Sequence, residues 1–214
     1  MNFKNIKSIF LTACSGIYHV LSCGDMEEIS DQSLIADYLN GNDAAFAVLV
    51  QRYLRPLYNF VFRFVRDQST TEEVVQETCV KMWRSLKKYK PNKRFSTWVF
   101  QIAKNTAFDY LRKNKPLLFS DLSDPDVEQD PIAAIPDPRP TVLQELERQA
   151  ENQTAQAAVT QLPLKYQIVL ELYYQHDLNF REIAEVLHEP LDTVKSRHYR
   201  SLQQLRQLLG KKPV

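Results

Sequence analysis

A chain of 214 residues with four glycines, none between Gly41 and Gly210, leaves no place for the glycine-rich loops that cradle phosphates, and few tight hairpins. The formal charge of +1 sums unlike segments: −1 over residues 1–28, +7 over 29–115, −5 over 116–140 and 0 over 141–214, with six bases and no acid in 193–212. Two basic surfaces around an acidic connector suggest a polyanionic partner, and the glycine poverty an all-α protein.

Residues 1–28 begin with Lys4 and Lys7 ahead of the apolar run Ile9–Cys14, which has the outline of a signal peptide with Cys23 behind it. Gly16, Tyr18 and His19 interrupt that run, and it is too short to span a bilayer. We read it as an upstream extension with Met26 as an alternative start. Cys14, Cys23 and Cys79 are odd in number, far apart and without CxxC pairs. A disulfide framework or metal site is therefore not expected, no cofactor is implied, and a reducing cytoplasm fits.

From residue 30 the apolar period is helical. Ser30 and Asp31 can cap a helix through Leu39 that Asn40 and Gly41 end. Asp43 opens a long segment with Phe46, Leu49, Val50, Tyr53, Leu57, Phe60, Val61 and Phe64 in phase; Pro56 should kink or break it. A turn at 67–71 caps a third helix over about 72–88. Pro91-Asn92 interrupts the chain before a fourth, from about 96 to 114. Residues 116–140 hold Pro116, Pro125, Pro131, Pro136, Pro138 and Pro140 with the acidic excess, and read as a flexible linker. Helical periodicity returns over 142–160, 163–175, 179–187 and 192–209. The expected architecture is two small helical bundles, 29–115 and 141–214, joined by an acidic Pro-rich linker, 116–140.

The run Asn179–Arg197 has the parts of a helix-turn-helix. Ala184 is the small residue at the crossing, Ile183 and Leu187 face inward, Pro190 stops the first helix, and Asp192 or Thr193 can cap the second. On a wheel of 3.6 residues per turn Val194, His198, Leu202, Leu205 and Leu209 share a face. Ser196, Arg200, Gln203 and Gln207 lie opposite, with Thr193, Lys195, Arg197 and Tyr199 on the shoulders. An apolar back and a basic, hydrogen-bonding front suit base edges and phosphates. His198, on the apolar side, reads as a packed residue.

Between Trp83 and Trp98 a proline-broken loop carries Lys87, Lys88, Tyr89, Lys90, Asn92, Lys93, Arg94, Phe95 and Ser96. Aromatic faces beside Lys and Arg are what capture of unstacked bases requires. Trp83, Phe95 and Trp98 can equally be core residues. In the following helix Gln101, Asn105, Asp109 and Arg112 form a polar stripe with Lys104 and Phe108 beside it, a DNA-reading face or an ordinary wet one. Upstream, Glu72, Glu73, Gln76 and Glu77 place acids and amides on one helix of a basic domain, for docking on a basic protein surface or for plain solvation.

Glu72–Glu77 through Trp83-Arg84, Phe95–Ala103 through Asp109–Arg112, Leu162-Pro163 through Leu170, Glu182–Glu185 and Thr193–Arg197 resemble, in that order, the bacterial sigma-70 factors of the extracytoplasmic-function group. The resemblance implies core-polymerase binding, on the clamp of the β′ subunit, by Glu72, Glu73, Gln76, Glu77, Val80, Lys81 and Arg84. It implies capture of the melted −10 strand by Tyr89, Lys90, Asn92, Lys93, Arg94, Phe95, Ser96, Trp98, Gln101, Lys104, Asn105 and Arg112. Reading of the −35 duplex falls to Thr193, Lys195, Ser196, Arg197, Tyr199, Arg200 and Gln203. It further implies an anti-sigma partner, residence in the cytoplasm or at the inner membrane face where that partner is membrane-bound, and no covalent chemistry. The chain departs from the family pattern at Cys79, in place of a bulky aromatic, and at His188 and Asp192, in place of glycines, so that His188 is expected at positive φ. The competing readings are a stand-alone helix-turn-helix regulator, a helical nuclease (four histidines without HExxH spacing) and a protein-only adaptor.

Overall fold

The computed structural model describes residues 29–114 and 156–210, which fall into two separate compact units divided after Asn114. Among the described residues every regular element is a helix. The readings made above for residues 1–28, the linker 116–140 and the stretch 142–155 lie outside the described residues.

The first unit consists of α1 (Asp31–Leu39), α2 (Asp43–Val65), α3 (Gln68–Ser85), a 3₁₀ turn at Leu86–Lys88 and α4 (Phe95–Asn114). Side chains cap three of its helix starts. Ser30 Oγ accepts from Ser33 N–H at 3.2 Å, Asn42 Oδ1 from Ala44 N–H at 3.2 Å and Asp67 Oδ2 from Thr70 N–H at 2.8 Å. Each such cap stabilises its helix by about 1 kcal/mol. The Asp67 cap starts α3 at Gln68, four residues ahead of the expected 72, and the last turn tightens to 3₁₀ at Leu86.

Pro56 does not break α2, which runs unbroken from Asp43 to Val65. A helix-interior proline costs about 3 kcal/mol. Tyr53, Leu54, Leu57, Phe60 and Val61 around it are all buried, and burial of one such side chain stabilises by about 1.5–3 kcal/mol. Packing therefore outweighs the missing hydrogen bond. α2 lies against α1, α3 and α4, and α3 against α4. Ala103 and Ala107, fully buried and four residues apart, let α4 approach closely. Buried Thr78 and Thr106 return their hydroxyls to the carbonyls of Val74 and Ile102, both at 2.8 Å.

The second unit comprises a helical turn at 156–161, α5 (Leu164–Leu170) continued by a π turn at Glu171–Gln175, α6 (Phe180–Leu187) and α7 (Leu191–Leu208). Ala158, Leu162, Tyr166, Leu170 and Leu205 form one apolar cluster with Val159, Tyr174, Leu202 and Leu209 at its edge. Gln167, buried beside it, donates to the carbonyl of Leu162 at 2.7 Å, which closes the 156–161 turn onto α5. Asn179 and Glu182 make a reciprocal capping box at the start of α6, at 3.1 Å and 2.8 Å.

Candidate nucleic-acid interface

In the first unit the loop between the 3₁₀ turn and α4 is shaped by rings. Phe95 packs with Tyr53, Tyr89 and Trp98 at centroid distances of 5.3, 5.4 and 5.5 Å, and Tyr89 lies 5.3 Å from Trp98. The Tyr89 hydroxyl donates to the carbonyl of Lys93, folding residues 89–93 back on themselves. Phe95 is 3% exposed. This corrects its assignment as a base-stacking face: it opens α4 with its ring turned inward, because three other rings need an apolar floor. Tyr89 and Trp98 remain half-buried above it, while Lys90, Asn92, Lys93 and Arg94 are exposed around them.

The floor is itself tied down from a distance. Asp31 accepts a hydrogen bond from the hydroxyl of Tyr53 and one from Arg52, whose other terminal nitrogen donates to the Ile29 carbonyl at 2.8 Å. Burial first, and then the hydrogen bond to the Asp31 carboxylate and its charge, hold the Tyr53 hydroxyl above the ordinary tyrosine range, so it stays a donor. Burial and then the same carboxylate raise the Tyr89 hydroxyl as well. Asp31 is thus hydrogen-bonded to Tyr53 under the ring cluster, and its charge is also felt at Tyr89. Sequence inspection misses this network, since its members are 21 and 22 residues apart and no local period relates them.

Along α4, Asn105 and Arg112 are exposed, and Ser96, Gln101 and Lys104 half-buried. Lys104 Nζ sits 4.7 Å from the centre of the Phe108 ring, and Arg112 pairs with Asp109 at 3.1 Å. The α3 face offers exposed Glu73, Gln76, Glu77 and Arg84, with Glu72 and Val80 half-buried. Lys81 reaches across to α4 instead, donating to Thr106 Oγ1 at 3.2 Å while pairing with Glu77 at 3.0 Å, so it cross-links two helices. Trp83 is half-buried and gives its indole N–H to Tyr38 Oη at 2.7 Å, the packed alternative for that ring.

In the second unit α6 and α7 form the expected helix-turn-helix. Ile183, Val186 and Leu187 of α6 are buried, as are Val194, His198, Ser201 and Leu205 of α7. His198 lies among the rings of Tyr173, Phe180 and Tyr174 at 4.8, 5.0 and 5.7 Å, a packed residue as its position on the wheel implied. On the opposite side Tyr199 and Gln203 are exposed, and Thr193, Lys195, Ser196 and Arg200 half-buried.

The turn is made without glycine. His188 takes φ 55° and ψ 44°, its N–H bonds the Glu185 carbonyl at 3.3 Å, and the Glu189 N–H bonds that of Ala184 at 3.1 Å. These two bonds are a Schellman closure, with histidine in the left-handed position that glycine occupies at no steric cost. α7 then starts at Leu191 after Pro190, so Asp192 and Thr193 fall inside its first turn, and neither caps it. Arg197 is turned away from the polar front: its guanidinium meets the Glu189 carboxylate at 2.7 Å with 16% of the side chain exposed.

The family model for Sigma-70 region 2 matches residues 49–116, and that for Sigma-70, region 4 matches residues 153–205. Over 189 residues the chain is 30% identical to the ECF RNA polymerase sigma factor SigW of Bacillus subtilis, covering 85% of this chain and 98% of that protein. The chain belongs to the extracytoplasmic-function sigma-70 family. It is a promoter-specificity factor of RNA polymerase. It is also 31% identical over 177 residues to the RNA polymerase sigma-H factor of Pseudomonas aeruginosa, covering 80% of this chain and 89% of that one. Among solved structures, CnrH in complex with the cytosolic domain of CnrY shares its fold, with a TM-score of 0.54 at 23% identity over 86% of this chain and 99% of that chain. No described helix of this sigma factor is long and apolar enough to cross a membrane.

Proposed function

We propose that the two units of this sigma factor divide promoter recognition by the physical state of the DNA. The first unit docks on the β′ clamp of core polymerase through the exposed face of α3, with Glu73, Gln76, Glu77 and Arg84 leading. Tyr89 and Trp98 stack on unpaired −10 bases while Lys90, Lys93 and Arg94 follow the backbone, and Asn105 and Arg112 extend that track along α4. The second unit inserts α7 in the −35 major groove, where Lys195, Ser196, Tyr199, Arg200 and Gln203 meet base edges and phosphates. Opening of the duplex is driven by binding, without covalent chemistry or cofactor. The acidic linker, running between the domains at 29–115 and 141–214, is suited to occupy a basic nucleic-acid channel.

The observation that carries the reading is the ring cluster of Tyr89, Phe95 and Trp98 beneath four exposed polar or basic loop residues. A stand-alone helix-turn-helix regulator would have no use for it. The solved relatives include CnrH with the cytosolic domain of CnrY and the sigma factor RpoE of Bartonella quintana with the anti-sigma factor NepR. By analogy we assign this chain an anti-sigma partner and a place in the cytoplasm. Transcription by purified core polymerase on a promoter library tests the proposal. Specific start sites are expected only with the chain added; failure to join core enzyme or to start specific transcripts would overturn it.

A further inference from the structure

We infer that Glu189 is an electrostatic brake on −35 binding: it holds Arg197 away from the DNA and so sets how tightly α7 grips any duplex. The inference rests on the reading of α7 as the −35 helix and adds a regulator of that site in the turn before it.

The residue following the left-handed position of a Schellman turn usually makes an apolar contact back to the preceding helix. Here that place belongs to a glutamate, with its N–H on the Ala184 carbonyl at 3.1 Å. Its side chain cannot drop its charge into the helix pair without a partner, and burying an unpaired carboxylate is costly. Glu189 Oε2 has no exposed surface and lies 2.7 Å from Arg197 Nη1. The carboxylate that follows the turn thus meets α7 at Arg197, between one and two turns into that helix.

The consequence for DNA binding follows from charge. α7 carries Lys195, Arg197, Arg200 and Arg206, and the pair with Glu189 neutralises the second of these. With 84% of its side chain covered, Arg197 is bound to a fixed anion rather than offered to a phosphate. A protein that engages one phosphate fewer shows a salt dependence shallower by about 0.9 in log–log slope. Because phosphate contacts carry no sequence information, removing one lowers affinity for all duplexes alike. Glu189 therefore favours discrimination over grip.

The test uses holoenzyme assembled from the full chain and core polymerase, binding a −35 duplex selected by that holoenzyme and an unrelated duplex, each across a salt series. Glu189→Gln should tighten binding to both by roughly three- to tenfold at low salt and steepen the slope by about 0.9. Arg197→Ala in that background should abolish both gains, whereas Arg197→Ala alone should change affinity less than about twofold. Glu189→Leu, which restores an apolar residue at the turn, should reproduce the gain. A folding defect cannot tighten binding, so the expected result has no trivial source. Unchanged or weakened binding by both Glu189 variants, with Arg200→Ala still costing affinity, overturns the brake and leaves the −35 helix in place. Loss of tenfold or more by Arg197→Ala alone also overturns it, making Arg197 a direct reader. If Arg200→Ala is silent too, α7 is not the duplex reader and both readings fall.

Discussion

In the first unit the side chains proposed to meet DNA are split between an irregular loop and the α4 helix that follows it, with Phe95 buried beneath Tyr89 and Trp98, whereas in the second they stand on one face of α7, whose other face is buried. A helix holds its own backbone geometry through internal hydrogen bonds, so α7 needs only an apolar back to be rigid. A loop has far less of it, here the Lys93 N–H on the Lys90 carbonyl at 3.3 Å and the Tyr89 hydroxyl on the Lys93 carbonyl. Its shape comes from packing underneath and from ties to other elements, here Tyr53, Asp31 and Arg52. Double-stranded DNA presents a regular groove that a regular element can enter, while single bases have to be caught one at a time by faces fixed in irregular positions. The first site is therefore the more fragile, because damage to distant residues reaches it.

The largest expected effect separates the two sites outright. Trp98→Ala together with Tyr89→Ala should remove stacking worth about 1–3 kcal/mol per base. Promoter opening would collapse while binding of an isolated −35 duplex by the second unit persisted. Equal loss of both activities would break the comparison. Arg200→Ala is the mirror experiment, with about 1–3 kcal/mol lost from −35 binding and core-polymerase binding retained. If that substitution releases core polymerase, the docking face has been placed on the wrong unit.

A smaller effect sharpens the claim of fragility. Asp31→Asn leaves the aromatic cluster intact but takes the charge from Arg52 and Tyr53. It should destabilise the first unit by about 1.5–3 kcal/mol in denaturant unfolding, since hydrogen bonds to charged groups contribute about that much. Capture of a single-stranded −10 oligonucleotide should weaken as well, although Asp31 is placed in no DNA contact. In the second unit His188→Gly relieves a left-handed residue and should raise the unfolding midpoint by the equivalent of about 1 kcal/mol. A drop would mean that the imidazole makes contacts worth more than the strain.

The smallest effect concerns pH. The Tyr53 hydroxyl is raised above the ordinary tyrosine value of 10.0. The folded form therefore holds its proton after the unfolded form has begun to lose it, and the stabilisation present below pH 10 disappears as pH climbs through the folded value. Wild-type protein should lose stability above about pH 10 more steeply than Tyr53→Phe, read from unfolding midpoints at matched pH. Parallel curves would show that the hydroxyl is not protected.

Much of this was readable from the chain alone where one element decides the outcome. The cap at Ser30, the turn at Asn40-Gly41 and the buried side of α7 all follow from local spacing, while the positive φ of His188 followed from the glycine that the resembled family has there. Family resemblance carried the order of the recognition segments. The failures share a cause. Pro56 is tolerated because the surrounding core outweighs it, Phe95 turns inward because rings from two other segments need it, and Arg197 is diverted by a glutamate eight positions away across a turn. Each depends on a tertiary neighbour that no periodicity announces. Composition likewise marks the basic loop residues but says nothing of the Asp31 tie beneath them.

The wide turn at Glu171–Gln175 places rings where a uniform helix would not. A π turn takes up about one residue more than an α turn, and each residue in a helix advances the side chains by about 100°. Adjacent Tyr173 and Tyr174 both reach the one His198 ring, at 4.8 and 5.7 Å. α7 consequently rests on an aromatic bearing whose phase is set by how many residues precede it rather than by which they are. Deleting a single residue from 171–175 should rephase those rings and roll the face of α7 proposed to meet DNA about its own axis, whereas exchanging one tyrosine for phenylalanine should leave the orientation of that helix unchanged. Length, in that short segment, is an orientation parameter.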